Sequence, residues 1–273
     1  MKTTIRFTIL AVAIAGMMLV SCKKKEKESL KTTASDNAVA EASFNDVYKQ
    51  VDMSAREQAS GLKLLDWSCA TITVSPADTF TFPKTITVDF GTNGCTGSDG
   101  ILRKGKIIYT MTGKYRTPGS IITVTLDNYY RDGNLIEGTK TITNKGKNGS
   151  NHTYFEIVVS NAKISTDDGR VISWNSTRTR EWMAGEDTPW PTYTDDVYHI
   201  TGSANGINSE ENAFTITITN PLEIALDCRW IRSGTLELTP DGADTRTLDF
   251  GTGDCDNKAT LTIKNKTYEI LLH

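Results

Sequence analysis

Much of this chain alternates threonine or charge with apolar residues at period two, and that alternation limits what the chain can fold into more than any other feature. Phe155-x-Ile157-x-Val159, Ile172-x-Trp174, Phe214-x-Ile216-x-Ile218, Leu236-x-Leu238 and Tyr268-x-Ile270-x-Leu272 each throw their large side chains to one side of an extended backbone. Thr215, Thr217 and Thr219 fill the other side, the pattern of an antiparallel sheet with one buried and one wet face. Turn chemistry punctuates the runs at Pro118-Gly119, Asp132-Gly133, Lys147-Asn148-Gly149-Ser150-Asn151, Asp168-Gly169 and Asp241-Gly242. The expectation is an all-β body over residues 62–273 with roughly a dozen strands, arranged as an antiparallel sandwich, curled sheet or irregular barrel. One segment breaks the pattern. Phe44, Val47, Tyr48 and Val51 follow helical spacing, with Ser43 as N-cap, Asp46 in the first turn and Gly61 as a stop, which predicts a helix over 41–61 that packs on the β body.

The N-terminal end gives the address. Lys2 and Arg6 form a positive n-region, Ile9 to Val20 supply twelve apolar or small residues, and Ser21 precedes Cys22. Twelve residues are too few to span a bilayer as a helix. The segment therefore reads as a lipoprotein signal peptide, residues 1–21, whose processing leaves Cys22 as a lipidated, palmitate-type anchor. Residues 22–40, rich in Lys, Ser, Thr and Ala, read as a flexible tether. Removing Lys2 and Arg6 leaves 28 basic against 33 acidic residues, a mature charge of -5. Residues 23–31 hold five lysines against Glu26 and Glu28, so everything beyond residue 31 carries -8. An acidic body excludes nucleic acid as a natural partner, since that affinity comes mostly from neutralising phosphates. The tether lysines suit anionic headgroups beside the anchor, or a solvated linker with no specific partner.

Four cysteines remain after Cys22: Cys69, Cys95, Cys228 and Cys255. An even count in an exported chain reads as disulfides, and spacings of 26 and 27 residues do not resemble paired Cys-x-x-Cys zinc ligands. Three connectivities are open. An internal repeat favours Cys69 with Cys95 and Cys228 with Cys255: Asp89-Phe90-Gly91-Thr92 precedes Cys95 as Asp249-Phe250-Gly251-Thr252 precedes Cys255. From the Asp-Phe-Gly-Thr motifs through the cysteines the register holds without a gap in the two related segments, 69–113 and 228–272, which sets Lys104-Gly105-Lys106 against Lys264-Asn265-Lys266 as matching hairpin tips. Each copy reads as a strand with Phe inward, a glycine turn, a cysteine clamp and a hairpin. A weaker echo links Tyr109–Gly113 with Tyr198–Gly202.

No reactive constellation accompanies this framework. The chain has three histidines and no Gly-x-Ser-x-Gly, His-Glu-x-x-His, phosphate-loop or calcium-loop pattern. The Asp-Phe-Gly triplets lack every other element of a kinase and read as turn or capping aspartates. No metal and no cofactor is expected. The least conventional stretch runs from Trp182 to Tyr193. Trp182, Trp190 and Tyr193 with Glu186 and Asp187 can stack on and hydrogen-bond to a glycan or small ligand, or Trp182 and Trp190 can cap one end of the core. Asp195 and Asp196 just beyond read as solvated turn residues, with a weak cation site as the alternative.

The stretch from Asp89 to Tyr109, with Phe90-Gly91-Thr92-Asn93-Gly94-Cys95 and Arg103-Lys104-Gly105-Lys106, resembles uncharacterised lipoproteins of the Bacteroidota. The similarity runs on through Pro118-Gly119, Glu137-Gly138-Thr139 and Asp249 to Asn257. That resemblance implies export and lipid anchoring in the outer membrane, and it brings no catalytic residues. In that phylum an acidic cluster beside the modified cysteine accompanies surface display; lysines stand there here, which leaves the membrane face open. Three functional classes follow. The first is a non-enzymatic envelope lipoprotein acting as a structural or protein-interaction module, and the second is glycan or small-ligand binding through residues 182–193. The third is a hydrolase with two carboxyl groups in a cleft.

Overall fold

The computed structural model describes residues 13–60, 69–188, 192, 194–228 and 230–271, with the helix side chains described over 32–57. One helix, α1 (Ala13–Ser60), precedes fourteen strands: β1 (Thr71–Ser75), β2 (Lys84–Asp89), β3 (Cys95–Thr96), β4 (Leu102–Met111), β5 (Ile121–Arg131), β6 (Asn134–Lys147), β7 (Thr153–Ser165), β8 (Val171–Ala184), β9 (Val197–Ile207), β10 (Ala213–Ala225), β11 (Ile231–Pro240), β12 (Arg246–Thr252), β13 (Lys258–Ile263) and β14 (Lys266–Leu271). They form a single antiparallel sheet in which each strand pairs with its chain neighbours, except that β2 pairs with β4 and the short β3 sits beside β4. The sheet does not close into a barrel. Of the expected architectures it is the curled sheet.

Curling has a local cause. Every strand interface from β4–β5 to β11–β12 carries a register shift, whereas β1–β2, β2–β4, β12–β13 and β13–β14 run in continuous register. Bulges bend strands and raise their twist, so the middle of the sheet wraps while its margins stay regular. Glycine makes two of the bends feasible. A Cβ on Gly105 would lie 1.9 Å from the Asn128 carbonyl oxygen, and one on Gly202 would lie 2.2 Å from that of Thr177, with both residues at positive φ.

The wrapped face holds α1. Ser54 shares a 2.8 Å hydrogen bond with the Tyr109 hydroxyl on β4, while Arg56, two residues on, donates to the Tyr198 hydroxyl on β9 at 2.7 Å. A flat sheet would hold those strands about 24 Å apart, so one helical turn reaches both only because the sheet curls round it. Phe44 stacks on Trp174 with ring centroids 5.7 Å apart, and Val47, Val51 and Ala55 are fully buried in a core with Ile86, Ile107, Ile136, Ile164 and Ile172. The predicted apolar stripe does meet the chain's own core.

Several expectations need correction. The helix does not begin at 41: it is continuous from Ala13, and Ser43 is no N-cap, its hydroxyl donating instead to the Val39 carbonyl oxygen at 2.7 Å. Residues 22–40 contain no glycine or proline, and their Lys, Glu, Leu and Ala are strong helix formers, so the segment read as a tether is helical. Thr33, Asp36, Asn37 and Ala40 bury one face of it. Gly61 lies outside the described residues. On β14, Tyr268 is half exposed instead of inward, and Leu272 is outside the description.

The cysteine pairing is as the repeat suggests: Cys69–Cys95 and Cys228–Cys255, with Cα separations of 5.9 and 5.8 Å. Both aspartates cap their turns, Asp89 accepting from the Gly91 N–H at 2.8 Å and Asp249 from the Gly251 N–H at 2.9 Å. Phe90 and Phe250 are both buried. Beyond the clamps the gapless register fails. Asp89 lies opposite Lys106 on β4 and Asp249 opposite Thr260 on β13, so Lys106 corresponds to Thr260 and not to Lys266. Lys104-Gly105-Lys106 is a mid-strand bulge; only Lys264-Asn265 makes a hairpin tip.

Candidate functional site: the polar seam between helix and sheet

From Phe44 to Glu57 the helix is buried on nearly all sides, yet it carries Asp46, Gln50, Asp52, Ser54, Arg56 and Glu57. A helix enclosed all round is normally apolar. Here the sheet meets those groups with charged and aromatic side chains placed on its inner face by the strand alternation. On β8 the inward row reads Trp174, Ser176, Arg178, Arg180 and Trp182.

At the downstream end of α1, Arg56 gathers the seam. Its guanidinium pairs with Asp52 at 3.0 Å, one helical turn earlier, and with Asp196 at 2.9 Å. Tyr198 donates to Asp196 at 2.9 Å, and the Trp182 indole donates to the same carboxylate at 3.2 Å. Arg56 and Arg116 approach the Trp182 ring at 5.0 and 4.6 Å, a geometry in which the ring quadrupole attracts the cations. Arg180 lies over the Tyr198 and Tyr48 rings at 3.6 and 4.3 Å, and Tyr48 shares a 2.8 Å hydrogen bond with Tyr115. Burial works against the Arg56 charge, but Asp52 and its other neighbours outweigh it and raise the pKa. Burial likewise pushes the Tyr48, Tyr115 and Tyr198 hydroxyls up.

The middle and upstream parts are built alike. Asp46 accepts from Arg103 on β4, at 3.0 Å from Nε, and from the Tyr129 hydroxyl on β5 at 2.6 Å. Arg103 also holds Asp99 at 2.8 Å; desolvation of that carboxyl is overridden by the guanidinium, and its pKa falls. Glu41 pairs with Arg178, Asp36 with Arg170 at 2.7 Å, and Asn37 accepts from the Trp174 indole at 3.2 Å. Lys140 is buried on β6, where its ammonium nitrogen donates to the Phe44 carbonyl at 2.7 Å. Burial, then the neighbouring Arg180, lowers its pKa to about 7 against the pull of Glu41.

The aromatic loop is only partly described. Trp182 is 2 % exposed and faces the interior, so it serves the seam and not a ligand. Asp196 is buried and ion-paired, contrary to its reading as a solvated turn residue; Asp195 is exposed and accepts from Thr188 at 2.6 Å. Glu186 accepts from the Thr153 hydroxyl and lies 3.7 Å from Lys147, while Asp187 is exposed. Trp190 and Tyr193 fall outside the described residues. The Cys22 backbone lies within α1, with its side chain outside the description. Among the described residues no three His, Cys, Asp or Glu side chains converge as a metal-binding group. An open depression of about 1110 Å³ on the outer side is lined by Asn175, Asn205, Ile207, Thr239, Asp241 and Asp244, the last tied to Lys264 at 2.8 Å.

Sequence reading missed the seam residues Asp46, Arg56, Arg103, Arg180, Asp196 and Tyr198. A signal existed: Arg178 and Arg180 stand in phase with Trp174 and Trp182, and a cation on the apolar side of an alternating strand implies an inward partner. Comparison with family models, curated proteins and solved structures returns no significant match. No described helix is long and apolar enough to cross a membrane.

Proposed function

We propose that this chain is a lipid-anchored lipoprotein of the cell envelope, held in the outer membrane, whose curled sheet acts as a non-enzymatic structural or protein-interaction module. The observation that carries this reading is the leader ending in Leu19-Val20-Ser21-Cys22, joined to a body with two disulfides suited to an oxidising compartment. The seam supports the second half of the proposal. Its carboxylates and guanidiniums engage one another across the helix–sheet interface, as in a network that holds a scaffold together. The family resemblance points to the same compartment. Glycan binding, the second reading, loses Trp182, which is enclosed, from its five loop residues.

Two measurements test the reading. Radiolabelled palmitate incorporates into the wild type and not into Cys22→Ser; label absent from both removes the anchor. Pull-down of the acylated protein from detergent-solubilised envelope recovers a stoichiometric protein partner, and repeated recovery of the chain alone counts against an interaction module.

A further inference from the structure

The path of α1 determines which end of the sheet lies nearest the anchor. The upstream part of the buried stretch is pinned by two turns. Asp36 accepts from the Ser209 N–H at 2.7 Å and pairs with Arg170, Thr33 accepts from Asn208 at 2.8 Å, and Thr32 donates to Glu210 at 3.1 Å. The downstream part meets the opposite end, Arg56 at Asp196 before β9 and Tyr48 at Tyr115 after β4. The helix therefore runs from the rim of turns at 132–133, 166–170 and 208–212 to the rim of loops at 112–120, 148–152, 185–188 and 194–196. From Cys22 to Thr32 the helix is continuous over ten residue steps, about 15 Å at ~1.5 Å per residue.

We propose, resting on the anchoring at Cys22, that this helical stem makes the sheet stand off from an anionic bilayer in one orientation, with the 166–170 and 208–212 rim towards the lipid and the 112–120, 148–152 and 185–188 rim away from it. Charge explains why a stem is needed. The near rim presents Asp132, Asp167, Asp168, Glu210 and Glu211 against Arg131 and Arg170, and would be repelled by anionic headgroups at contact. A stem of about 15 Å is nearly twice the screening length of about 8 Å at physiological salt, so the rim escapes most of that repulsion. The stem itself carries five lysines against two glutamates and matches the headgroups. The far rim, about 36 Å further along the helix, is what a soluble partner meets.

Energy transfer tests the orientation. Full-length acylated protein, its lipid confirmed by mass spectrometry, is reconstituted into phosphatidylglycerol-containing vesicles with a headgroup acceptor dye. Donor is attached through Asp167→Cys in one sample and through Ser150→Cys in another, both positions being exposed. Transfer is expected to be severalfold stronger from 167 than from 150, and inserting Gly-Ser-Gly-Ser after Ser29 shrinks that difference. Equal or reversed transfer in the uninterrupted protein overturns the orientation while leaving the anchor intact. Acylated protein that fails to float with the vesicles overturns the anchoring and this inference together.

Discussion

The two cysteine-clamped margins of the sheet begin alike and end differently. At each, an aspartate caps a glycine turn, a phenylalanine turns inward and a disulfide closes a loop of 26 or 27 residues. At the first margin the following strand delivers Arg103 to Asp46 on α1, so the clamp is tied into the seam. Among the described residues the second margin shows no such ion pair to α1. Its buried cation, Arg246, leaves Nε and Nη1 without hydrogen-bond partners, and burial lowers its pKa against a weaker pull from Asp244. The same local motif thus specifies the clamp only; whether that margin is held by the helix depends on residues outside it.

The sharpest way to break this comparison is to remove the two buried arginines. Arg103→Met strands the Asp46 carboxylate with only the Tyr129 hydroxyl, and denaturant unfolding is expected to show a loss of about 3 to 5 kcal/mol. Arg246→Met is expected to change stability by under about 1 kcal/mol or to raise it, because it removes unpaired buried donors. Equal losses at both sites would end the distinction.

Next come the disulfides. Cys69→Ser/Cys95→Ser and Cys228→Ser/Cys255→Ser are each expected to cost about 3 to 4 kcal/mol, since loop lengths are nearly equal. The first pair alone should also increase hydrogen exchange in α1 around Asp46, the second pair only in β12–β14.

Lys140 probes the seam through pH. Its folded pKa of about 7 lies below the ordinary 10.5, so the unfolded chain binds more protons between those values and stability rises with pH across that window. Below pH 7 the cost of burying the cation is fully present. Above about pH 10 the raised tyrosine pKa values act the other way, because the unfolded tyrosines ionise first. Melting temperature should therefore climb from pH 7 to 10, and Lys140→Met should flatten the climb. The smallest effect belongs to the turns: Asp89→Ala and Asp249→Ala should each cost about 1 kcal/mol, with Asp89 marginally costlier for its 3.1 Å contact to Lys106.

What could be read from the sequence followed local rules. Period-two alternation located the strands, Asp-Gly pairs located the turns, and the duplicated Asp-Phe-Gly-Thr-x-x-Cys located both clamps. The misreadings share a cause, the override of local signal by tertiary partners. Lys-, Ser- and Thr-rich residues before 41 looked like a linker, but the curled sheet offered Asn208, Ser209 and Arg170 to Thr33 and Asp36, so they are helix. Lys104-Gly105-Lys106 looked like a hairpin tip, yet Gly105 serves a bulge against Asn128. Arg178 and Arg180 carried a legible anomaly, but two of their partners, Glu41 and Tyr48, lie more than a hundred residues away on α1, and only Tyr198 is near, on the next strand.

The most direct test of the account is intact-mass and N-terminal peptide mass spectrometry of the protein purified from the envelope. A mature chain beginning at Cys22 and bearing fatty acyl groups is the predicted result. A chain retaining Met1 to Ser21, or one starting at an unmodified Cys22, would contradict it.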